Sequence, residues 1–110
     1  MTVQPGDVVT VDFPGAVGVK RRPAVIVSTA TYHATRPDVV LGLLTSQTAG
    51  ATGPTDYILQ DWPAAGLRSP SAFRAFFATL PVASIGIIGH LSERDWREIQ
   101  ARLRIALAVA

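Results

Sequence analysis

The stretch DVVTVDF, from Asp7 to Phe13, decides how this chain begins to fold. Apolar and polar side chains alternate along it, β-branched residues dominate it, and Pro5-Gly6 and Pro14-Gly15 bound it. An alternating segment between turn residues predicts a β-strand with one buried face. Similar short segments, separated by turn residues, recur up to residue 90, so the pattern predicts a mainly β protein.

Further strands are predicted where β-branched, aromatic or apolar residues cluster between turns, at residues 24–28, 39–44, 57–59, 71–78 and 83–88. The run from Val39 to Leu44 is apolar throughout, which is typical of a strand that is buried on both faces. Residues 16–22 and 29–37 are predicted as loops. Pro23 is predicted as the first residue of a strand, where its missing N–H group is tolerated.

The C-terminal segment changes to a helical period, with an apolar stripe formed by Trp96, Ile99, Leu103, Ala106 and Leu107. One such stripe is typical of an amphipathic helix. Ser92, followed three residues later by Asp95, predicts a capping box at its start. Short strands followed by a single helix predict a small antiparallel barrel or curled sheet that the helix seals.

The composition bounds the class of protein. The 110 residues predict one domain, residues 1–110, because domains of 100–150 residues are the commonest. Hydrophobic residues make up 48% and charged residues 16%, against about 25% charged residues in a typical soluble domain. This high apolar and low charged content excludes a disordered chain. It also indicates that a partner, such as a second copy, covers apolar surface. Cysteine is absent, which excludes disulfides, thiolate metal sites and cysteine nucleophiles.

The N-terminal sequence MTVQPGDVV lacks the basic and apolar regions of a signal peptide. No apolar run approaches the ~18 residues that span a bilayer. We therefore expect a cytoplasmic protein without membrane contact. A net charge of +2 and a pI of about 9.7 favour a polyanionic partner only weakly, because net charge alone does not identify nucleic-acid binding.

Three groups of residues carry candidate chemistry. Lys20-Arg21-Arg22 offers donors to phosphate oxygens, although such a triplet also occurs in solvated loops. Thr45-Ser46-Gln47 follows a predicted buried strand and either holds a phosphate or a base edge or simply ends the strand. Arg74, close to Phe76, either contacts a nucleobase or covers an apolar edge.

The two histidines do not form a metal motif. His33 and His90 lack the HxxxH or HExxH spacing, and no cluster of carboxylates accompanies them, so no metal site is expected. Histidine is the side chain best suited to proton transfer near neutral pH, and the predicted loop that carries His33 is one that could approach a nearby groove.

The order of several short blocks is more specific than any block alone. After the opening strand, the chain carries RP at residues 22–23, TS at 45–46, GLRSPS at 66–71 and GHLS at 89–92. In this order, from Pro5 to Leu107, the chain resembles the MazF/PemK family of toxin–antitoxin ribonucleases. The resemblance implies an SH3-like barrel with a terminal helix and a homodimer. It also implies metal-independent cleavage of single-stranded RNA, and inhibition by a small antitoxin protein that fills the RNA groove.

The resemblance also implies roles for single residues. Arg22 falls at the family's catalytic arginine and Thr45 at its catalytic threonine. The 2′-hydroxyl of the RNA attacks the adjacent phosphorus and leaves a 2′,3′-cyclic phosphate and a 5′-hydroxyl. The protein therefore has to align the attack and stabilise negative charge. Contacts to RNA are expected from Lys20, Arg21, Ser46, Gln47, Arg74 and His33.

In one segment the chain departs from the family pattern. Many members carry an acidic residue after the later strand, whereas the segment Arg74-Ala-Phe76-Phe77 has none. Stacking on Phe76, worth about 1–3 kcal/mol per base, could replace part of the binding energy. Alternatively, the missing acidic residue means low activity or a different cleaved RNA sequence. A further alternative is a non-enzymatic toxin on the same fold, like CcdB, which binds DNA gyrase. A peptide-binding SH3-like module fits less well, because only 7% of the residues are aromatic.

Overall fold

The computed structural model describes residues 2–15 and 18–109, and the side chains of these residues other than 13–15 and 19. The strands are β1 (Asp7–Gly15), β2 (Gly18–Ile26), β3 (Asp38–Thr45), β4 (Tyr57–Ile58), β5 (Ala72–Pro81) and β6 (Gly86–His90). The α-helices are α1 (Ala30–Thr35) and α2 (Glu93–Ala106), and short 3-10 turns occupy Thr48–Gly50, Pro63–Ala65 and Val82–Ser84.

The strands form one antiparallel sheet in the order β4-β5-β3-β2-β1-β6, which curls into a half-barrel. The prediction of a mainly β, barrel-like fold with a C-terminal helix is therefore confirmed. In chain order, β1, β2 and β3 are direct neighbours, whereas β6 returns to pair with β1. This return brings the segment that precedes α2 back beside the start of the chain.

The curled sheet is packed on both faces. One face and helix α2 enclose a cluster that includes Val8, Val25, Phe73 and Ile99, all fully buried. The other face carries a second cluster, which includes Val9, Val11, Ala24, Ile26, Val39 and Leu41. Strand β3 contributes to both clusters through Leu44 on the first face and Leu41 on the second. Burial on both faces is thus confirmed for this strand, although four of its eight residues remain half-exposed, namely Asp38, Val40, Leu43 and Thr45.

A bulge in β5 interrupts the regular pairing of β3 with β5. Gly42 pairs with Phe77 and Leu44 pairs with Phe73, so β5 has two extra residues over this interval. Ala75, inside the bulge, has a φ of 55°, which is unusual for a residue with a side chain. A side chain at Gly42 would collide with the Phe73 ring, so the glycine lets that ring lie directly over the β3 backbone.

The predicted loop of residues 16–22 is wrong where the structure describes it, because strand β2 already begins at Gly18. Residues 16 and 17 lie outside the described part of the chain. Pro23 is inside the strand rather than at its start, and it pairs with Thr10 of β1. The β2–β3 ladder begins only at Ala24, so at Pro23 the strand has one neighbour and its missing N–H group is tolerated.

The predicted loop of residues 29–37 contains the short helix α1. Thr29 caps it, with its side-chain oxygen accepting a hydrogen bond from the Tyr32 N–H at 3.3 Å. Six residues are too few for a helical apolar period to stand out in the sequence. The last strand also begins three residues later than predicted, because Val82–Ser84 forms a 3-10 turn.

Helix α2 is confirmed, with Ser92 as its N-cap and a hydrogen bond of 3.1 Å from the Asp95 N–H to Ser92 Oγ. Only half of the predicted capping box forms. The carboxylate of Asp95 does not return to the Ser92 backbone but lies fully buried, where it accepts hydrogen bonds from the Tyr57 hydroxyl of β4 and from two backbone N–H groups that follow this strand. None of the described helices is long and apolar enough to cross a membrane.

Candidate active site

A cleft of about 630 Å³ opens where β2 extends beyond the end of β3. Three segments and two single residues line it: residues 20–23 of β2, residues 44–47 at the end of β3, residues 66–69 with Ser71 before β5, and Thr10 of β1 and Ile88 of β6. No aspartate or glutamate is among these lining residues, whereas three arginines and one lysine are. The described lining therefore presents positive charge to a ligand, which suits an anion.

Arg22 and Thr45 face the same cleft because of the strand register. The β2–β3 ladder ends with Ala24 opposite Leu43, and continuing that register by two residues sets Arg22 level with Thr45. Arg22 is half-buried and forms no ion pair or side-chain hydrogen bond with any residue that the structure describes. An arginine without a counter-charge on the protein is free to form its ion pair with a bound anion.

The end of β3 supplies hydroxyl and amide groups. Thr45 Oγ1 accepts a hydrogen bond of 3.1 Å from the Gln47 N–H, so its own hydroxyl hydrogen remains available to a ligand. This bond also turns the chain sharply after the strand, as short hydroxyl side chains do at strand ends. Ser46 and Gln47 are exposed at that turn and line the same cleft.

Lys20 and Arg21 lie on the β2 side of the cleft but differ in their partners. Arg21 donates to Asp12 at 3.2 Å and to Thr10 Oγ1 at 3.0 Å, and both of its contacts are on the neighbouring strand. Lys20 is exposed and forms no ion pair with the described residues. Of the basic triplet, Lys20 and Arg22 are thus free to meet a ligand without breaking a salt bridge.

The loop before β5 forms another wall, and its contribution was not assigned from the sequence. Arg68 and Ser69 are exposed there and line the cleft, whereas in the sequence the GLRSPS block is only one of the blocks that carry the family resemblance. The signal that could have identified Arg68 is an arginine within a block of turn residues that links two strands. Loops that are held on a rigid scaffold commonly carry functional residues.

Asp95 fastens this loop to helix α2. Its carboxylate accepts from the Tyr57 hydroxyl at 2.5 Å, the Gln60 N–H at 3.0 Å and the Asp61 N–H at 2.8 Å. Burial, followed by the Asp95 hydrogen bond, raises the pKa of Tyr57 well above its ordinary value. Arg94 donates to Asp61, and this hydrogen bond, with a second from Ser92, lowers the pKa of the Asp61 carboxyl.

Two predicted RNA-binding residues lie outside the cleft. His33, in α1, contacts Ser28 Oγ through Nε2 at 2.6 Å, and it lines a separate hollow of about 320 Å³. Arg74 donates from Nε to Asp56 at 3.1 Å, and the same carboxylate accepts from the Gly53 N–H at 2.9 Å. Arg74 therefore holds the loop that follows β3, and RNA binding by Arg74 or His33 stays a prediction.

The described residues contain no group of three or more histidines or acidic side chains placed to hold a metal ion. His90 instead pairs with Asp7 at 2.8 Å, at the point where β6 meets the start of β1. The histidine–carboxylate contact thus lies at the strand junction rather than among the residues that line the cleft.

Comparisons with known structures show the same fold in several toxins. A mycobacterial endoribonuclease in complex with its cognate antitoxin has a TM-score of 0.81 and 24% identity, over 99% of this chain and 98% of that chain. MazF in the MazE–MazF complex (Form-III) of Deinococcus radiodurans has a TM-score of 0.77 and 21% identity, over 100% of both chains. The Mycobacterium tuberculosis toxin MazF-mt6 has a TM-score of 0.75 and 19% identity, over 94% of this chain and 98% of that chain.

At these identities the structural likeness establishes the fold, and family membership rests on the sequence. No curated protein matches the chain. The model of the family described as "PemK-like, MazF-like toxin of type II toxin-antitoxin system" matches residues 4–107. This match spans almost the whole chain and includes every segment that lines the cleft. The chain therefore belongs to the PemK-like, MazF-like toxins of type II toxin–antitoxin systems.

Proposed function

We propose that the protein is an endoribonuclease toxin that cuts single-stranded RNA in the cleft between β2, the end of β3 and the loop before β5. One observation carries the proposal: Arg22 is half-buried, has no acidic partner among the described residues, and is level with Thr45 in a cleft whose described lining has no carboxylate. Family membership supports it, as does the likeness to a mycobacterial endoribonuclease.

In the proposed reaction the nucleophile belongs to the RNA. The ribose 2′-hydroxyl attacks the adjacent phosphorus, the bond from phosphorus to the 5′-oxygen breaks, and the products are a 2′,3′-cyclic phosphate and a 5′-hydroxyl. Arg22 stabilises the charge that builds on the phosphoryl oxygens. Thr45 donates its free hydroxyl hydrogen to one of these oxygens and holds the phosphate in line.

Proton transfer in this proposal does not pass through an arginine, because a guanidinium stays protonated in proteins. The cleft is open, so the 2′-hydroxyl loses its proton to solvent and the leaving 5′-oxygen takes one from solvent. No step is routed through His33, whose Nε2 is already bonded to Ser28 Oγ. The positive charge required in the transition state comes from side chains, so the proposed reaction needs no metal ion.

We propose that a small antitoxin protein inhibits the enzyme by occupying this cleft. Related structures include a mycobacterial endoribonuclease with its cognate antitoxin and a MazE–MazF complex. A cleft lined by Lys20, Arg22 and Arg68 favours an acidic segment of a partner for the same reason that it favours RNA. RNA and antitoxin would therefore compete for the same positive charges.

We also propose that the protein is a homodimer. An apolar hollow of about 430 Å³ lies between α1, β3, β5 and the end of α2, and Tyr32, Val40, Phe77 and Leu107 are among its lining residues. Leu107 is 43% exposed, although it continues the apolar stripe of the helix. A hollow with a largely apolar lining and an exposed leucine at its edge is typical of an interface, and the chain's low charge content agrees with this.

The experiment is cleavage of an unstructured RNA by the purified protein in excess chelator. We expect cutting to persist, and we expect Arg22→Ala to lower kcat by about 100-fold or more, as for loss of one transition-state donor. Arg97→Ala is the matched control, because Arg97 is an exposed arginine of α2 outside the cleft lining and forms no ion pair with described residues.

Two results would contradict the proposal. One is cutting that needs an added metal ion, and the other is cutting that survives the loss of Arg22 undiminished. A non-enzymatic toxin on the same fold predicts growth arrest with intact transcripts. Mapping transcript ends after brief induction in cells therefore distinguishes the two alternatives.

A further inference from the structure

The ion pairs of this protein separate its cations into two groups. Among the described residues, five of the ten cationic side chains pair with a carboxylate: Arg21, Arg36, Arg74, Arg94 and Arg102. The other five are Lys20, Arg22, Arg68, Arg97 and Arg104. Of these, Lys20, Arg22 and Arg68 line the cleft, and the other two lie on helix α2. Arg68 is thus the only one of the unpaired cleft cations that comes from outside β2.

The loop that carries Arg68 is fastened at both sides of that residue. Gly66 has a φ of 85° and closes the preceding 3-10 turn, and a side chain on it would collide with the Ile88 carbonyl of β6. After Arg68, the Ser71 hydroxyl donates to the Ser69 carbonyl at 3.0 Å. Ala72 then pairs with Thr45. The loop therefore begins against β6 and ends beside the proposed catalytic threonine.

This anchoring places Arg68 on the cleft wall formed by the loop before β5, whereas Lys20 and Arg22 lie on the wall formed by β2. Its side chain is exposed and contacts no carboxylate among the described residues, while the residues on either side of it are held by the Leu67 N–H bond to the Trp62 carbonyl and the Ser71 bond to the Ser69 carbonyl. A side chain on a rigid loop loses less conformational entropy on binding than one on a mobile loop. The Arg68 guanidinium offers five N–H donors in a planar fork, and this geometry matches the oxygens of a phosphate.

We propose that Arg68 binds a backbone phosphate of the RNA next to the phosphate held by Arg22 and Thr45. This inference rests on the proposed function and extends it, because it adds a binding position on the wall formed by the loop before β5. Two fixed phosphate contacts hold the strand in line across the cleft, which one contact cannot do. Contacts to the backbone carry no sequence information, so Arg68 contributes affinity and alignment rather than choice of base.

The test measures binding of single-stranded RNA oligonucleotides that carry 2′-O-methyl groups. These lack the attacking hydroxyl and so cannot be cut. For Arg68→Gln we expect binding about tenfold weaker at low salt. We also expect a plot of log affinity against log salt that is less steep by about 0.7, the value for one phosphate contact on a single strand. Arg68→Lys should keep the salt slope, and Arg97→Gln should match the wild type.

The outcomes separate this inference from the proposed function. If the wild type cuts unmodified RNA and binds the modified RNA, but Arg68→Gln binds with the same affinity and salt slope, Arg68 has no phosphate contact and the inference alone is wrong. If Arg68→Gln weakens binding of RNA with one base sequence and not of RNA with others, Arg68 contacts a base, and the phosphate assignment is overturned. If the wild type neither cuts nor binds RNA, both proposals are wrong.

Discussion

Asp95 is the buried group whose removal should affect the molecule most. It is fully buried on the first turn of α2, and its two carboxylate oxygens accept three hydrogen bonds from Tyr57, Gln60 and Asp61. These bonds connect the helix to the chain that leaves β4, which continues into the wall of the cleft that bears Arg68. Asp95→Ala would leave three donors without an acceptor.

The expected loss of stability in Asp95→Ala follows from those three hydrogen bonds. Leaving a buried donor unpaired costs about 1–3 kcal/mol. The Tyr57 hydroxyl is buried and takes the full cost, whereas the two backbone N–H groups are half-buried and recover part of theirs from water. The sum is about 3–5 kcal/mol, out of a total stability of about 5–15 kcal/mol for a domain. Asp95→Asn keeps the oxygen that accepts two of the bonds, so it should lose about 1–3 kcal/mol.

Urea unfolding followed by circular dichroism measures this difference. Glu93→Ala is the matched control, because Glu93 is the other acidic residue in the first turn of α2, is exposed, and has no side-chain partner among the described residues. Both alanine variants lose one favourable charge at the helix start, so the difference between their free energies of unfolding isolates the contribution of the buried hydrogen bonds. An Asp95→Ala variant within about 1 kcal/mol of Glu93→Ala would refute the reasoning. Should Asp95→Ala fail to fold, Asp95→Asn still gives a measurable value.

Three further predictions concern other parts of the molecule. Gly42→Ala should lower stability by about 1–3 kcal/mol, because its methyl group meets the Phe73 ring, and an unchanged urea midpoint would contradict this packing. Tyr57 has a raised pKa in the folded state, so the native protein binds the proton more tightly and stability should fall as pH rises above about 10. In Tyr57→Phe this alkaline loss should shrink, and equal loss in both proteins would exclude the tyrosine as its source. Leu107→Asp should convert the proposed dimer to a monomer in sedimentation experiments, and an unchanged mass would place the interface elsewhere.

Local patterns in the sequence were enough to identify most elements. Alternation between turn residues located β1, and the apolar stripe with Ser92 located α2. Helix α1 escaped this reasoning because its six residues bury no side chain, so no apolar period marks it. Pro23 misled the prediction of β2, because proline is tolerated inside a strand where one neighbour is missing, and that neighbour is known only from the sheet.

In the candidate site, too, the sequence identifies some residues, whereas only the structure shows which groups they contact. Arg22 and Thr45 could be selected by residue type and by the order of short blocks, and the extended β2–β3 register accounts for their meeting in one cleft. Arg74 was selected by the same kind of reasoning. The structure pairs it with Asp56, eighteen residues earlier in the chain and next to the bulge at Ala75, and its contact with RNA stays a prediction.

The sequence alone determined which strands and which terminal helix form, because hydrophobic period, turn residues and helix caps act over a few neighbouring residues. Only the tertiary structure decided which cations are neutralised and which remain available. Arg68 and Arg74 are only six residues apart, yet Arg68 lines the cleft without a carboxylate partner among the described residues, whereas Arg74 pairs with Asp56. The physical reason is that a salt bridge needs two side chains within about 4 Å, and strand register, bulges and loop anchoring set that distance.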